Sequence, residues 1–214
     1  MQEGNGRYIF KLNPGGCYVS KSVGAKIDEC IIPRSYVHDE TIRNNLIPQK
    51  IGIFMWRTLR GRILVKLELD KQGIDLDSLL CPMCNEVIES VDHVILSCKF
   101  AKEVWVGIHK WWNLNPMSYT NISDQLKSVN QGGIPSNLKK VCNVWATSYI
   151  IWKNRNQKVF QNNPWATPKL VNEVQVKTFE WISNPSRKGH FEWQQWLTCH
   201  FNMSFPSAIN LDPG

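Results

Sequence analysis

Three cysteines and one histidine are gathered in a short span of this chain, in the pattern C-x2-C-x8-H-x4-C formed by Cys81, Cys84, His93 and Cys98. Two cysteines separated by two residues can wrap one tight turn and aim both thiolates at one point. A histidine and a cysteine with four residues between them fall in the spacing range of a second ligand pair. Zinc takes four such nitrogen and sulfur ligands tetrahedrally at about 2.0–2.3 Å, and thiolates favour it over magnesium or calcium. All four positions would be filled by protein, leaving none open for water or substrate. The expected cofactor is therefore a single structural zinc, with no hydrolytic role.

Buried free cysteines beside a surface histidine are the competing reading. A lone C-x2-C would leave it open, or suggest a redox pair; two properly spaced pairs weigh against it. His109 could compete with Cys98 as fourth ligand, but it falls inside a helix predicted over Phe100–Trp112. Asp92 could orient the His93 ring, although neighbours in sequence often point apart.

The second pair also makes a geometric demand. Five positions along a regular helix turn through about 500°, leaving the His93 and Cys98 side chains roughly 140° apart. The short helix predicted over Ser90–Leu96 must therefore unwind before Cys98, with its end near Ser97.

The surrounding elements are read from apolar periodicity. Ile47, Ile51, Phe54, Met55 and Leu59 form the stripe of an amphipathic helix, with Pro48 in its first turn and Gly61 as its stop. A second helix is predicted over Ile63–Gln72, closed by Gly73. Val104, Trp105, Ile108 and Trp112 share a face of Phe100–Trp112. Beyond Pro116 a polar stretch with one short helix leads to the longest helix, Asn137–Gln161. Pro164 ends that helix, and Pro168 opens another reaching Ile182. At the start, Arg7–Ser22 alternates around Asn13–Gly16 and reads as a β-hairpin, followed by a short helix over Ser22–Glu29. The fold class expected is mainly α, a helical bundle-like module with a short N-terminal β-hairpin and the zinc site. The domain reading is 7–115 for the zinc-binding domain, 116–136 for a linker and 137–200 for a helical C-terminal extension.

Composition bounds the partners. The 214 residues carry a formal charge of +7, 43% hydrophobic residues and ten tryptophans, enough to build a core. The basic excess leans towards a polyanion without deciding the matter. Seven cysteines, four of them isolated, do not make a secreted disulfide scaffold. No apolar signal segment opens the chain and no run of apolar residues could span a membrane, so the expected setting is intracellular, nuclear or cytoplasmic.

The segments Ile47–Arg57, Leu80–Cys84 and Val91–Trp105 together resemble the reverse-transcriptase zinc-binding domain at the C-terminal end of plant non-LTR retrotransposon polyproteins. The Arg7–Ser22 hairpin is similar to the segment that opens that domain, with Tyr8 and Phe10 where tryptophan is usual. Ile150–Asn156 with Phe160 resembles the helix that commonly follows, so the similarity spans roughly residues 7–162. The resemblance implies an accessory part of an RNA-directed DNA polymerase. It does not imply the polymerase itself: the chain has no Asp-Asp pair for two catalytic metals. Gly-x-Ser-x-Gly, Walker and His-Glu-x-x-His motifs are also missing. No small-molecule substrate is expected, and the partners implied are RNA or DNA and other domains of such a polyprotein.

Lys50, Arg57 and Arg60 lie along one side of the first predicted helix, and Lys153, Arg155 and Lys158 ride on the longest. One reading makes these six residues non-specific phosphate contacts; the other makes them solvated faces of amphipathic helices. Core packing is the better account of Trp56, Trp105, Trp145 and Trp152 than base stacking. Trp111 and Trp112, being adjacent, cannot both face one core, so one of them is expected to be exposed.

Overall fold

The computed structural model describes residues 47–115, 119–128, 144–183 and 192–198. The chain divides into two compact units, Met1–Glu40 and Thr41–Gly214, and every described residue lies in the second. The predicted hairpin over Arg7–Ser22, the helix over Ser22–Glu29 and the first part of Asn137–Gln161 lie outside the described residues. The described fold is mainly helical. It comprises α1 (Gln49–Leu59), α2 (Lys66–Lys71), α3 (Lys99–Trp111), α4 (Ile122–Ser128), α5 (Thr147–Gln161), α6 (Thr167–Ile182) and α7 (Trp193–Thr198), with a π-helical turn over His93–Ser97. Among these residues strand pairing is confined to one antiparallel bridge, Leu80 opposite Ile88.

Local sequence sets most of the helix ends. In α1 the predicted stripe is buried at Ile51, Phe54 and Met55, with Thr58 donating to the Phe54 carbonyl at 2.9 Å. Gly61 then takes φ +63, which an L side chain adopts only with strain. The Arg62 and Gly61 N–H groups donate back to the Arg57 and Thr58 carbonyls at 2.7 and 3.0 Å, satisfying groups that a helix end leaves orphaned. Helices α2 and α3 close the same way, at Gly73 (φ 79) and at Asn113 (φ 49). Helix α2 is shorter than the predicted Ile63–Gln72. Ile63 and Val65 are buried ahead of it, and its first N–H, on Lys66, donates to Glu89 Oε2 at 2.8 Å. Burial and a distant carboxylate thus place the helix start, and neither is visible in local periodicity.

The core is shared along the described chain. Phe54 of α1 meets Tyr149 and Trp152 of α5, with ring centroids 5.5 and 6.4 Å apart. Helix α3 packs on α5 and most closely on α6. A Cβ at Gly107 would lie 2.6 Å from Val171 Cγ2, so glycine sets how near these two helices come. The expectation that Trp111 or Trp112 is exposed is corrected here. Both rings pack edge-on against Trp196 of α7, at 5.3 and 5.8 Å, so three tryptophans close that end of the bundle.

One polar interaction runs through this core. Glu89, which follows the Leu80–Ile88 bridge, is fully buried and paired with Arg155 of α5. Arg155 Nε donates to Oε1 at 2.8 Å and Nη2 donates to Oε2, a forked pairing that suits guanidinium to carboxylate. The remaining Nη1 donates to Asn156 Oδ1 at 3.0 Å. Removing one partner of a buried pair strands the other charge, at a cost of about 3–5 kcal/mol. Arg155→Met is accordingly expected to lower unfolding free energy by about that amount in urea denaturation, and Glu89→Leu/Arg155→Met to recover part of the loss, since the Lys66 N–H then also loses its acceptor. A single variant as stable as the parent would contradict this role.

Candidate metal centre

The pieces of the site are assembled by three short segments. Cys81 and Cys84 lie on a tight turn in which the Asn85 N–H donates to the Cys81 carbonyl at 2.8 Å and Asn85 takes φ 56. Asparagine tolerates that left-handed conformation better than most residues. Two further bonds, Cys81 N–H to Val87 O and Glu89 N–H to Leu79 O, both 2.8 Å, fold the segment back on itself. Ser90 then starts the histidine-bearing helix, its Oγ accepting the His93 N–H at 3.1 Å as an N-cap does.

The demand set by the His93–Cys98 spacing is met by winding and not by unwinding. From His93 the backbone widens into a π turn, and the Cys98 N–H donates to the His93 carbonyl at 2.7 Å. An i to i+5 bond sets residue 98 over residue 93, where a regular helix would have separated them. The helix does end near Ser97, as expected. The device differs: a single insertion of π winding keeps its hydrogen bonds, whereas an unwound turn would strand them.

Cys81, Cys84, His93 and Cys98 are all buried, and their donor atoms lie within 4.8 Å of one another. Cys81 and Cys98 sulfurs are 4.0 Å apart, and Cys84 Sγ is 3.3 Å from His93 Nε2. A tetrahedral zinc with thiolates at about 2.3 Å would hold sulfurs roughly 3.8 Å apart. The four side chains therefore fit a zinc ion with little movement. His109, the competitor, is buried in α3 and does not belong to the group.

The surroundings shift the protonation of three of the four side chains. The Cys98 thiol is pushed below its ordinary range, chiefly by its hydrogen bond with Cys81; the same bond, reinforced by burial, pushes Cys81 up. The backbone N–H groups of Met83 and Cys84 favour the ionised form of Cys81, and those of Phe100 and Ala101 favour that of Cys98. Cys98 also sits at the N-cap of α3, where the helix dipole favours negative charge. Burial pushes His93 below its ordinary value, so the neutral ring, the form that ligates, is favoured.

Ser97 does what Asp92 was considered for. Its hydroxyl lies 3.3 Å from His93 Nδ1, so with Nε2 ligating, Nδ1–H donates to Ser97 Oγ and fixes the ring. Asp92 points elsewhere, accepting the Ile122 N–H at 3.4 Å.

The six basic residues divide. Lys50 and Arg57 are exposed, while Arg60, Lys153 and Lys158 are partly so. Arg155 is corrected as a nucleic-acid contact: it is 5% exposed and all its donor nitrogens are bonded within the protein. A buried acid 66 residues away in sequence draws it inward. Charge and helical spacing alone could not reveal that partner.

Fold and site define a small helical unit organised around a buried Cys3His group able to hold a zinc ion. Residues 33–105 match the family model described as zinc-binding in reverse transcriptase. That match covers about a third of the chain and contains all four metal-site residues, so the resemblance read from the sequence is shown for this segment. It concerns a zinc-binding accessory and not a catalytic centre. No curated protein and no solved structure matches the chain. No helix among the described residues is long and apolar enough to cross a membrane.

Ser97→Ala is expected to weaken zinc affinity about tenfold, with unchanged stoichiometry, in a competition titration against a chromophoric chelator. Unaltered affinity would show that the serine does not orient His93.

Proposed function

We propose that the chain is a zinc-binding accessory module of a retrotransposon RNA-directed DNA polymerase polyprotein, working in the nucleus or cytoplasm and contacting RNA or DNA non-specifically. The convergence of Cys81, Cys84, His93 and Cys98 inside the segment that matches the family carries this reading. Bound zinc would supply a compact positive charge that neutralises the thiolates and clamps a loop-rich segment between α2 and α3. The protein supplies the rest: the Asn85 turn sets the first pair, the π turn sets the second, and Ser97 holds the imidazole. Lys50, Arg57, Arg60, Lys153 and Lys158 are the proposed phosphate contacts, and neighbouring polyprotein domains are the proposed protein partners.

A purely structural or protein-interaction role, or that of a non-functional remnant, is the alternative. Exposed Leu80, Val87 and Ile88 on the metal hairpin favour a protein contact there. Steep salt dependence of RNA or DNA binding supports the first reading, and no binding at low salt supports the second.

Structural zinc contributes about 10–16 kcal/mol in finger peptides, at least as much as the roughly 5–15 kcal/mol stability of a typical domain. Protein purified without a histidine tag is expected to carry one zinc per chain and to release three thiols on chelation. Cys81→Ala or His93→Ala is expected to unfold the segment from Leu80 to Trp105, read by near-ultraviolet circular dichroism and thermal unfolding. Metal-free protein in which all seven thiols titrate alike would overturn the reading.

A further inference from the structure

The outward side of α1 is an unusual solvated face. At about 100° per residue, Lys50, Ile53, Trp56, Arg57 and Arg60 fall in one stripe roughly 120° wide. Ile51, Met55 and Thr58 lie on the opposite, buried side. The Arg60 guanidinium lies 4.5 Å from the centroid of the half-buried Trp56 ring, and Arg62, just beyond Gly61, lies 6.0 Å from it. No aspartate or glutamate occurs from Ile47 to Leu67. Lys50, Arg57 and Arg62 have no acidic partner among the described residues, so no described acid offsets their positive charge.

Solvation accounts for the cations but not for what lies between them. Ile53 is 43% exposed, and the Trp56 ring lies beside the guanidinium groups of Arg60 and Arg62. Cations alternating with flat and apolar groups match a ligand that offers phosphates and uncovered bases together. Single strands offer both, because every unpaired base has a π face for an aromatic ring or a guanidinium plane. In a duplex the bases are stacked away, and only the phosphates would find partners on this face.

We propose that this face of α1 binds single-stranded nucleic acid, with Lys50, Arg57 and Arg62 on phosphates and Ile53 and the Trp56–Arg60 stack against bases. The proposal rests on the nucleic-acid reading above and narrows it from any polynucleotide to unpaired strands. RNA and DNA share this chemistry, and the affinities for the two strands separate them.

The test is fluorescence anisotropy of the full chain, titrated into labelled oligo(U), oligo(dT) and a duplex of equal length. Zinc content and circular dichroism are recorded on every sample. Single strands are expected to bind at least tenfold more tightly than duplex. Trp56→Ala should weaken single-strand binding about five- to a hundredfold, the range of one base-stacking contact, and leave duplex binding nearly unchanged. Should that variant fold poorly, Lys50→Gln/Arg62→Gln changes only surface groups. It should reduce the slope of log affinity against log salt by about 1.4, from two lost phosphate contacts at about 0.7 each. Equal affinity for strand and duplex would overturn the proposal. So would unchanged binding by the double variant, which places contact on another face and leaves the nucleic-acid reading standing. Binding to phosphatidylserine vesicles with none to any polynucleotide, in a zinc-loaded sample, would overturn both.

Discussion

Three cysteines and a histidine, all buried and within 4.8 Å of one another, are the constraint on which the described structure depends. Burying thiolates together is unfavourable unless a cation or a shared proton balances them. The site contributes in several ways: backbone N–H groups aimed at two sulfurs, a helix N-terminus under Cys98, and a neutral imidazole held by Ser97. None of these alone balances three sulfurs. A tetrahedral divalent ion would offset two of three thiolate charges, and the four side chains between Cys81 and Cys98 could hold one. The shape of the chain there follows from that demand, with a left-handed asparagine after the first pair and a π turn between the second.

A second interaction ties the Leu79–Glu89 segment to one helix before it and to another that follows by more than fifty residues. Glu89 accepts the Lys66 N–H at the start of α2 and the Arg155 guanidinium of α5, joining three segments through one buried carboxylate. The hairpin thereby becomes part of the bundle core. The family model matches residues 33–105, and the packing that supports the site extends beyond them. Helix α5 packs on α3 and the π turn, and α6 packs on α3 and α5, so the metal segment shares one core with them. The family match describes the ligands, and the contacts describe what holds them in place.

The sequence was informative wherever the cause was local. Cysteine and histidine spacing named the site because chelation geometry depends on short separations. Gly61 and Gly73 marked helix ends because only a left-handed residue closes those turns readily. Asn113 closes α3 in the same conformation, yet asparagine is common enough in loops that nothing singled it out. Legibility failed where the cause was distant. Arg155 carried every local mark of a surface cation, and only the fold reveals the buried acid that claims it. The start of α2 was misplaced for the same reason, since Glu89 caps it from outside the local pattern. The His93–Cys98 spacing lay between these cases. Angular arithmetic showed that a regular helix must fail near Ser97, while the form of the departure, a hydrogen-bonded π turn, needed the packed structure.

The most direct test of the account is substitution of cobalt(II) into the metal-free chain, followed by visible absorption. Cobalt reports its own coordination: a tetrahedral sulfur-rich site gives intense d–d bands with thiolate charge-transfer absorption, and an open oxygen-rich site gives only weak ones. The account predicts intense tetrahedral bands that saturate at one cobalt per chain, disappear on zinc addition, and lose charge-transfer intensity in Cys98→Ser. Weak octahedral bands, or no binding at all, would contradict it and leave the four residues an ordinary buried cluster.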